Sequence, residues 1–320
     1  MPILSVIVPV YNGSATIKDC IDSILAQSLR DIEIIVVNDG STDNTADIVS
    51  SYTDSRIKLI TIENSGQGIA RNKGIDISSG KYLGFVDADD TIRANMYKSM
   101  VKVAEENQAD MVQCAINDIR NDTVVKRPRM HETYIEIADN ASYTHNYFYS
   151  LVHTNEVCNK IYLKSLLAGN GIKFDNTFEV YSEDMKLNID ILPYLRRVYF
   201  MEEAHYNYNI TQSGHCLKNP EARLKGICTL YKRCIASIDD KKIRRCIKSM
   251  AVINLLSYTL SADTLPYVDE LITSSFMKDC MWASCFYKKT LRHAFLMLAL
   301  ITFPLDLKKK LIKKHYTFDK

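Results

Sequence analysis

Two hydrophobic periods alternate through the first 117 residues, and that alternation sets the fold class. Apolar runs of strand length stand at Leu4–Val8, Ile32–Val37, Ile57–Ile62, Tyr82–Val86 and Met111–Ile116. Between them apolar residues recur at helical spacing: Ile17, Cys20, Ile21, Ile24 and Leu25, then Ala46, Val49 and Tyr52, then Met96, Met100, Val103 and Ala104. Strands alternating with helices of this length predict βαβ units, a largely parallel sheet and helices on both faces. Such sheets bind ligands beyond the carboxyl ends of their strands, so the functional residues are expected there.

The rest of the chain reads differently. Asn117–Pro128 is polar and suits a hairpin or an irregular excursion. Ala138–Leu167 reads as helical and rich in Tyr, Gly169–Glu183 as loop with short extended pieces, and a helix is expected from near Ser182 to Pro193. From about Glu221 the pattern is helical throughout, in Glu221–Ser237, Lys241–Leu260, Leu265–Phe276 and Tyr287–Phe303. A composition shift near 215 marks the expected boundary.

Composition narrows the class. With 47% hydrophobic and 24% charged residues, disorder, collagen and coiled coil are excluded. A balance of 40 basic and 38 acidic side chains argues against a protein built to coat nucleic acid. The 9 cysteines include no CxxC pair, so a structural zinc site is not expected, and their scattered, odd count suits the reduced thiols of a cytosol. No charged n-region and apolar h-region precede the run from Ile3, so no signal peptide is expected. No run reaches the ~18 apolar residues of a membrane span.

Each strand end carries polar chemistry. The first is followed by Pro9, Val10, Tyr11, Asn12 and Gly13. Pro9 cannot donate a ladder hydrogen bond and Asn12-Gly13 is a turn signal, so the strand is expected to stop there and expose an aromatic ring. The second ends in Asn38-Asp39-Gly40-Ser41-Thr42-Asp43. Asp43 suits a turn or helix cap, whereas Asp39 comes too early for that and could accept hydrogen bonds from an imide N–H or ribose hydroxyls. The third runs into Glu63-Asn64-Ser65-Gly66-Gln67-Gly68 and then Ala70-Arg71-Asn72-Lys73-Gly74. This is either a helix start suited to a diphosphate or a solvated basic one. The fourth ends in Val86-Asp87-Ala88-Asp89-Asp90. Three carboxylates so close repel one another unless a cation or strong donors balance them, and oxygen ligands suit Mg²⁺ or Mn²⁺. The alternative is a capping cluster with Asp90 at a helix start.

In this order, Ser5-Val6-Ile7-Val8-Pro9-Val10-Tyr11-Asn12, Val37-Asn38-Asp39-Gly40-Ser41-Thr42-Asp43, Ala70-Arg71-Asn72-Lys73-Gly74 and Phe85-Val86-Asp87-Ala88-Asp89-Asp90 resemble the family-2 glycosyltransferases with the GT-A fold. The resemblance implies an α/β nucleotide-sugar-binding domain followed by a mainly helical C-terminal region. Residues 1–117 would form the nucleotide-sugar-binding half, 118–215 the acceptor half, and 216–320 the helical region. Pro9, Tyr11 and Asn12 would border the nucleotide, Asp39 would bind the uracil edge with Arg71 nearby, and Asp87 would sit by the ribose and metal. Asp89 would ligate the cation, Mn²⁺ or Mg²⁺, on the sugar diphosphate.

Ser182-Glu183-Asp184 resembles the family's Glu-Asp motif. It implies Asp184 as the general base for the acceptor hydroxyl and Glu183 as the reserve candidate; the alternative is a helix cap. Asn159-Lys160-Ile161-Tyr162 resembles a family segment upstream of that base, with Cys158 where an aromatic is common. In some relatives a His in the region of His205–His215 completes the metal shell, which makes His215 a further metal candidate beside a plain loop histidine. There is no Gln-x-x-Arg-Trp motif, so one sugar per visit is expected.

The implied reaction moves a hexose or N-acetylhexosamine from a UDP-sugar to a glycan or lipid-linked glycan acceptor, with inversion. The implied setting is bacterial surface polysaccharide assembly. The alternatives are a sugar nucleotidyltransferase, which lacks its Gly-rich Lys-bearing loop here, and a non-catalytic sugar-binding or assembly protein. The tail bears on location. Leu291, Phe295, Leu298 and Phe303 precede Lys308, Lys309, Lys310, Lys313 and Lys314. That pattern suits either a core helix or contact with an anionic membrane surface, and the expected location is cytoplasmic, at the inner face of the cell membrane.

Overall fold

A computed structural model describes residues 1–121, 123–126, 133–136, 155–175, 183–210, 220–260, 271, 273–285, 307, 310 and 311. The described chain runs β1 (Leu4–Val10), α1 (Ile17–Leu25), β2 (Ile32–Asn38), α2 (Thr45–Ser50), β3 (Ile57–Thr61), α3 (Gln67–Ile77), β4 (Tyr82–Phe85), β5 (Thr91–Ile92) and α4 (Met96–Asn107). It continues with β6 (Met111–Arg120), β7 (Thr123–Lys126), β8 (Thr133–Glu136), β9 (Lys160–Leu163), α5 (Lys164–Gly169), α6 (Glu183–Asp190) and β10 (Arg197–Asn209). Three helices follow, α7 (Pro220–Ser237), α8 (Lys241–Leu260) and α9 (Ser275–Cys285). Two compact units result. One holds 1–138, 155–178 and 183–212; the other holds 139–154, 179–182 and 213–320.

The first unit is built on a sheet of order β3-β2-β1-β4-β9-β6-β10-β5. β3, β2, β1 and β4 are all parallel, as the alternating periods predict. β1 and β2 are buried along their whole length, which is why they read as unbroken apolar runs. Val6, Val8, Ile34 and Val36 form one core with α1 and α4. α3 covers the other face, and at Gly74 it comes so close that a Cβ would stand 2.5 Å from Ile7 Cγ2.

The structure departs from expectation in three places. First, β1 does not stop at Pro9 but runs through it to Val10. Ile3 and Ile7 accept bonds from Tyr82 N–H and Val86 N–H, so odd residues of β1 face β4. Pro9 therefore lacks its donor only on the side where β4 has already ended at Phe85, while Val10 still accepts from Asp39 N–H. Second, Lys160–Leu163, expected as the end of a helix, is β9, antiparallel to both β4 and β6. Four residues are too few for periodicity to separate a buried strand from a helix. Third, β10 was not legible as a strand. It runs parallel to β6 with register shifts between Phe200 and Tyr206, which break its alternation. The polar stretch after Asn117 does form a hairpin, with β7 antiparallel to β6 and Asn121 at φ 46°.

In the second unit α7 and α8 match the expected helices closely. The expected helix Leu265–Phe276 falls largely outside the described residues, and α9 begins where it was to end. Leu291, Phe295, Leu298, Phe303 and the lysines beside them, except Lys310, lie outside the described residues. Among the described residues no helix is long and apolar enough to cross a membrane. The described cysteines Cys20, Cys114, Cys158, Cys228, Cys234, Cys246 and Cys280 are buried free thiols.

Candidate active site

In the order β3-β2-β1-β4, the chain builds outward from β1 first on one side and then on the other. The crevice beyond the carboxyl ends of β1 and β4 is thus the topological switch point, where open α/β sheets take ligands. The loops around it are tied together by their own polar groups. Asn12 accepts from Thr42 N–H at 2.8 Å and donates its N–H to Ser41 Oγ at 2.9 Å. Gly13 N–H reaches Thr45 Oγ1, and Ser14 N–H reaches Asp43 Oδ2. Asp43 therefore braces the β1–α1 loop as well as the start of α2, and hydrogen bonds from Thr45 and Ser14 hold its carboxyl down at about 2. Asn12 is bound into this bracing, while Tyr11 beside it keeps 49% of its surface exposed.

Asp39 is buried and grips the next loop. Its Oδ1 accepts Ser65 N–H and its Oδ2 accepts Gly66 N–H, both at 2.8 Å. That grip requires Gly66 at φ 93°, a conformation a side chain disfavours. α3 then starts with Arg71 on its inner side.

Arg71 is the centre of the site. Its side chain is 2% exposed, which excludes a solvated basic helix start; Lys73 is the exposed one. Nη2 donates to Asp87 Oδ1 at 2.7 Å; Nη1 donates to Asp184 Oδ1 at 2.5 Å and to Glu183 Oε1 at 3.1 Å. Phe174 covers it, with the guanidinium carbon 5.2 Å from the ring centroid. Phe174 is held in turn by Asn72, whose amide donates to Phe174 C=O and accepts Phe174 N–H. Sequence reasoning missed Phe174; the signal was the amide of Asn72 inside a motif, which needed a partner once buried. Arg71 thus meets Asp87 and α6, whereas Asp39 is engaged with the β3–α3 loop.

α6 carries Glu183 and Asp184 in its first turn. Its orientation is set by Asn188, which accepts from Tyr162 Oη at 2.8 Å and donates to Asn155 C=O. Asp184 Oδ2 also accepts Val157 N–H at 3.2 Å, so neither carboxylate is only a cap. Burial raises the Asp184 pKa above the usual carboxylate range; Arg71 opposes this, and the charges of Glu183 and Asp87 add to it. The Asp184 side chain keeps 21% of its surface open. Lys160 is fully buried, bonded to Glu156 C=O and Asn159 Oδ1, and burial pulls its ammonium down to about 8.

The Asp87–Asp90 segment separates into roles. Asp90 is buried, and both its oxygens are taken, by Tyr206 Oη at 2.6 Å and Asn209 N–H at 2.7 Å. It anchors the segment to β10 and precedes a short strand, not a helix. Tyr206 Oη also accepts Asp87 N–H, and the Asn209 amide donates to Asp89 C=O. Asp87 uses Oδ1 for Arg71 and for Gln67 Nε2, leaving Oδ2 without a partner among the described residues. Asp89 sits exposed at the rim; desolvation by its surroundings and the Asp87 charge raise its carboxyl pKa. Asp87, Asp90 and Cys158 also cluster, with ligand atoms within 4.8 Å. Burial pushes the Cys158 thiol well up and Asp90 has no free oxygen, so Asp87 and Asp89 are the better donors for a hard cation. His215 lies outside the described residues; His205 is largely buried in β10, with Nε2 2.9 Å from Glu203.

The model of glycosyl transferase family 2 matches residues 5–169, which include all four strand-end motifs. The chain belongs to this family. Family relatives include the uncharacterized glycosyltransferase EpsJ of Bacillus subtilis, 34% identical over 215 residues, which are 65% of this chain and 61% of EpsJ. The putative glycosyltransferase EpsH of the same organism is 32% identical over 75% of this chain and 70% of its own length. The match to YibD of Escherichia coli, at 41% identity, covers 35% of this chain and 33% of YibD. The fold is that of S. aureus TarS residues 1–349 in complex with UDP-GlcNAc, with a TM-score of 0.72 at 20% identity over 100% of this chain and 94% of the other. The mannosyltransferase PcManGT of Pyrobaculum calidifontis, in complex with GDP-Man and Mn2+, gives 0.57 at 18% identity over 100% and 88%. The sheet is mixed and not mostly parallel as expected, because β5, β7, β8 and β9 all pair antiparallel; with its flanking helices it is a GT-A fold, followed by a helical C-terminal region.

Proposed function

We propose that the chain transfers a hexose or N-acetylhexosamine from a UDP-sugar to a hydroxyl of a glycan or lipid-linked glycan, inverting the anomeric carbon and adding one sugar per visit. The observation that carries this reading is the Arg71 guanidinium, which joins Asp87 at the strand end to Glu183 and Asp184 on α6. One buried cation thereby fixes the distance between a donor-side and an acceptor-side carboxylate. A sugar binder without chemistry has no need of that link.

Tyr11 and Pro9 border the nucleotide base in this reading, and Asn12 holds their loop. Asp39 takes the uracil edge with the lone pairs that Ser65 and Gly66 leave free. The complexes of TarS with UDP-GlcNAc and UDP support a uridine donor. Residues 1–117 then serve the donor and 118–215 the acceptor.

The donor set fits a divalent cation: an Asp87 oxygen with no partner among the described residues, and an exposed Asp89 whose carboxyl pKa is raised by desolvation and by the Asp87 charge. Asp87 and Asp89 would hold Mn²⁺ or Mg²⁺, which when bound supplies charge neutralisation for the leaving diphosphate. Asp184 accepts the proton of the acceptor hydroxyl, and Arg71 keeps its carboxylate oriented toward the crevice. One base and no covalent nucleophile at the site lead to inversion. Bacterial surface polysaccharide assembly is the setting that family analogy favours.

The test is to incubate pure protein with several UDP-sugars, Mn²⁺ and lipid-linked acceptors, and to measure donor binding by calorimetry. Transfer that stops with EDTA supports the reading. No binding of any UDP-sugar overturns it.

A further inference from the structure

The second compact unit contains a cavity of about 360 Å³, lined by none of the residues assigned above to the reaction. It lies between α8 and α9. α8 places Lys241, Arg244, Arg245 and Lys248 at i, i+3, i+4 and i+7, which is one face of a helix. The opposite face, with Ile243, Cys246, Ile247 and Met250, is buried. α9 contributes Asp279 and Trp282 to the cavity and buries Met277, Cys280 and Met281.

Charge in this cavity is one-sided. Among the described residues, four cationic side chains face the single carboxylate of Asp279, which is 2.6 Å from Lys248. Arg244 is pinned by Nε and Nη2 to Ile238 C=O at 2.8 and 2.6 Å, so its guanidinium plane is preset. Lys241 and Arg245 have no ion-pair partner among the described residues. Like charges stacked one turn apart destabilise a helix, and nothing in the apolar packing of α8 calls for them. A preset guanidinium flanked by further cations is an arrangement that takes a phosphate, through the Arg fork and point charges together. The volume is at the small end of ligand sites and suits a headgroup or a small solute. Trp282, 54% exposed, adds an amphipathic wall.

We propose that this cavity is a phosphate-binding site. The phosphate belongs to an anionic lipid headgroup or to a free phosphorylated solute; the recognising chemistry is the same. The proposal is independent of the transferase reading.

The chain has a single Trp, and it lines this cavity, so its fluorescence reads occupancy directly. Full-length protein in EDTA is titrated with inorganic phosphate and pyrophosphate at constant ionic strength. In parallel it is titrated with phosphatidylcholine vesicles with and without phosphatidylglycerol. The exposed pair is changed together, Lys241→Gln with Arg245→Gln, and a thermal melt checks that the double variant folds; Arg245→Gln alone is the second variant. A Trp282 response to soluble phosphates, weakened about tenfold or more in the variants, supports a solute site. A response only to phosphatidylglycerol vesicles, weakened likewise, supports a lipid headgroup. No response to any of these, or one that the variants leave unchanged, overturns the proposal.

Discussion

Arg71 and Asp184 stand 113 positions apart in the chain and meet through a 2.5 Å hydrogen bond between Nη1 and Oδ1. The same guanidinium holds Asp87 at 2.7 Å. The two ends of the site are thus joined by one side chain, and most expected behaviour follows from that.

Arg71→Lys keeps the charge but loses the planar fork, so Lys can hold one carboxylate and not both ends. The variant should fold, and kcat should fall by roughly two orders of magnitude or more. Arg71→Ala leaves three carboxylates facing one another in a partly buried site. It should cost about 3–5 kcal/mol, read from urea unfolding.

The pH profile should carry the mark of burial. Asp184 must be ionised to accept a proton, and burial lifts its pKa. The acid limb of kcat/KM should therefore lie above the ~3.9 of an ordinary Asp, with activity rising as pH rises through it. Glu183→Gln removes a negative neighbour that raises this pKa, so the limb should move to lower pH. An unchanged limb in that variant would detach Asp184 from the profile.

Tyr206→Phe removes the hydroxyl that donates to Asp90 Oδ2 and accepts Asp87 N–H. A buried carboxylate oxygen loses its partner, at a cost of about 1–3 kcal/mol in chemical unfolding. The segment carrying Asp87 and Asp89 loosens, so half-activation by Mn²⁺ should need a higher concentration. Phe fills the same space, which keeps the fold.

Glu33 gives a stability prediction far from the chemistry. Its side chain is 6% exposed; burial works against its charge, but hydrogen bonds from Lys58, Ser5 and Ser79 outweigh that and hold it at about 2 against an ordinary 4.5. A carboxyl depressed in the folded state stabilises above its unfolded pKa, and that stability is lost as pH falls from 4.5 towards 2. Glu33→Gln should cost roughly 2 kcal/mol at neutral pH, discounted because Lys58 is exposed, and should flatten the stability curve in that window.

The parallel half of the fold was legible because β1 and β2 are buried on both faces and α1 and α4 on one, which writes two distinct periods into the sequence. The antiparallel half was not. β9 is too short to show a period, and the register shifts of β10 erase one. Among candidate site residues, Asp39, Arg71 and Asp87 were singled out as charges at strand ends and a helix start, and Asp184 by the family resemblance; the structure brings Arg71, Asp87 and Asp184 together. Their pairings were not legible. That Arg71 would span to α6 depends on Phe174 and Asn72 packing, a contact of residues 102 apart that no local pattern records. The cap reading of Asp90 failed for a similar reason, since Tyr206 and Asn209 come from a distant strand.

The central claim is that Asp184 performs the proton transfer while the donor is held elsewhere, and Asp184→Asn tests it most directly. Donor affinity is measured by calorimetry with a UDP-sugar and Mn²⁺, and turnover by product formation, on the same preparation. The account predicts near-normal donor affinity with turnover reduced by roughly two to four orders of magnitude. Weakened donor affinity with near-normal turnover, or a dead Glu183→Gln beside an active Asp184→Asn, would contradict it.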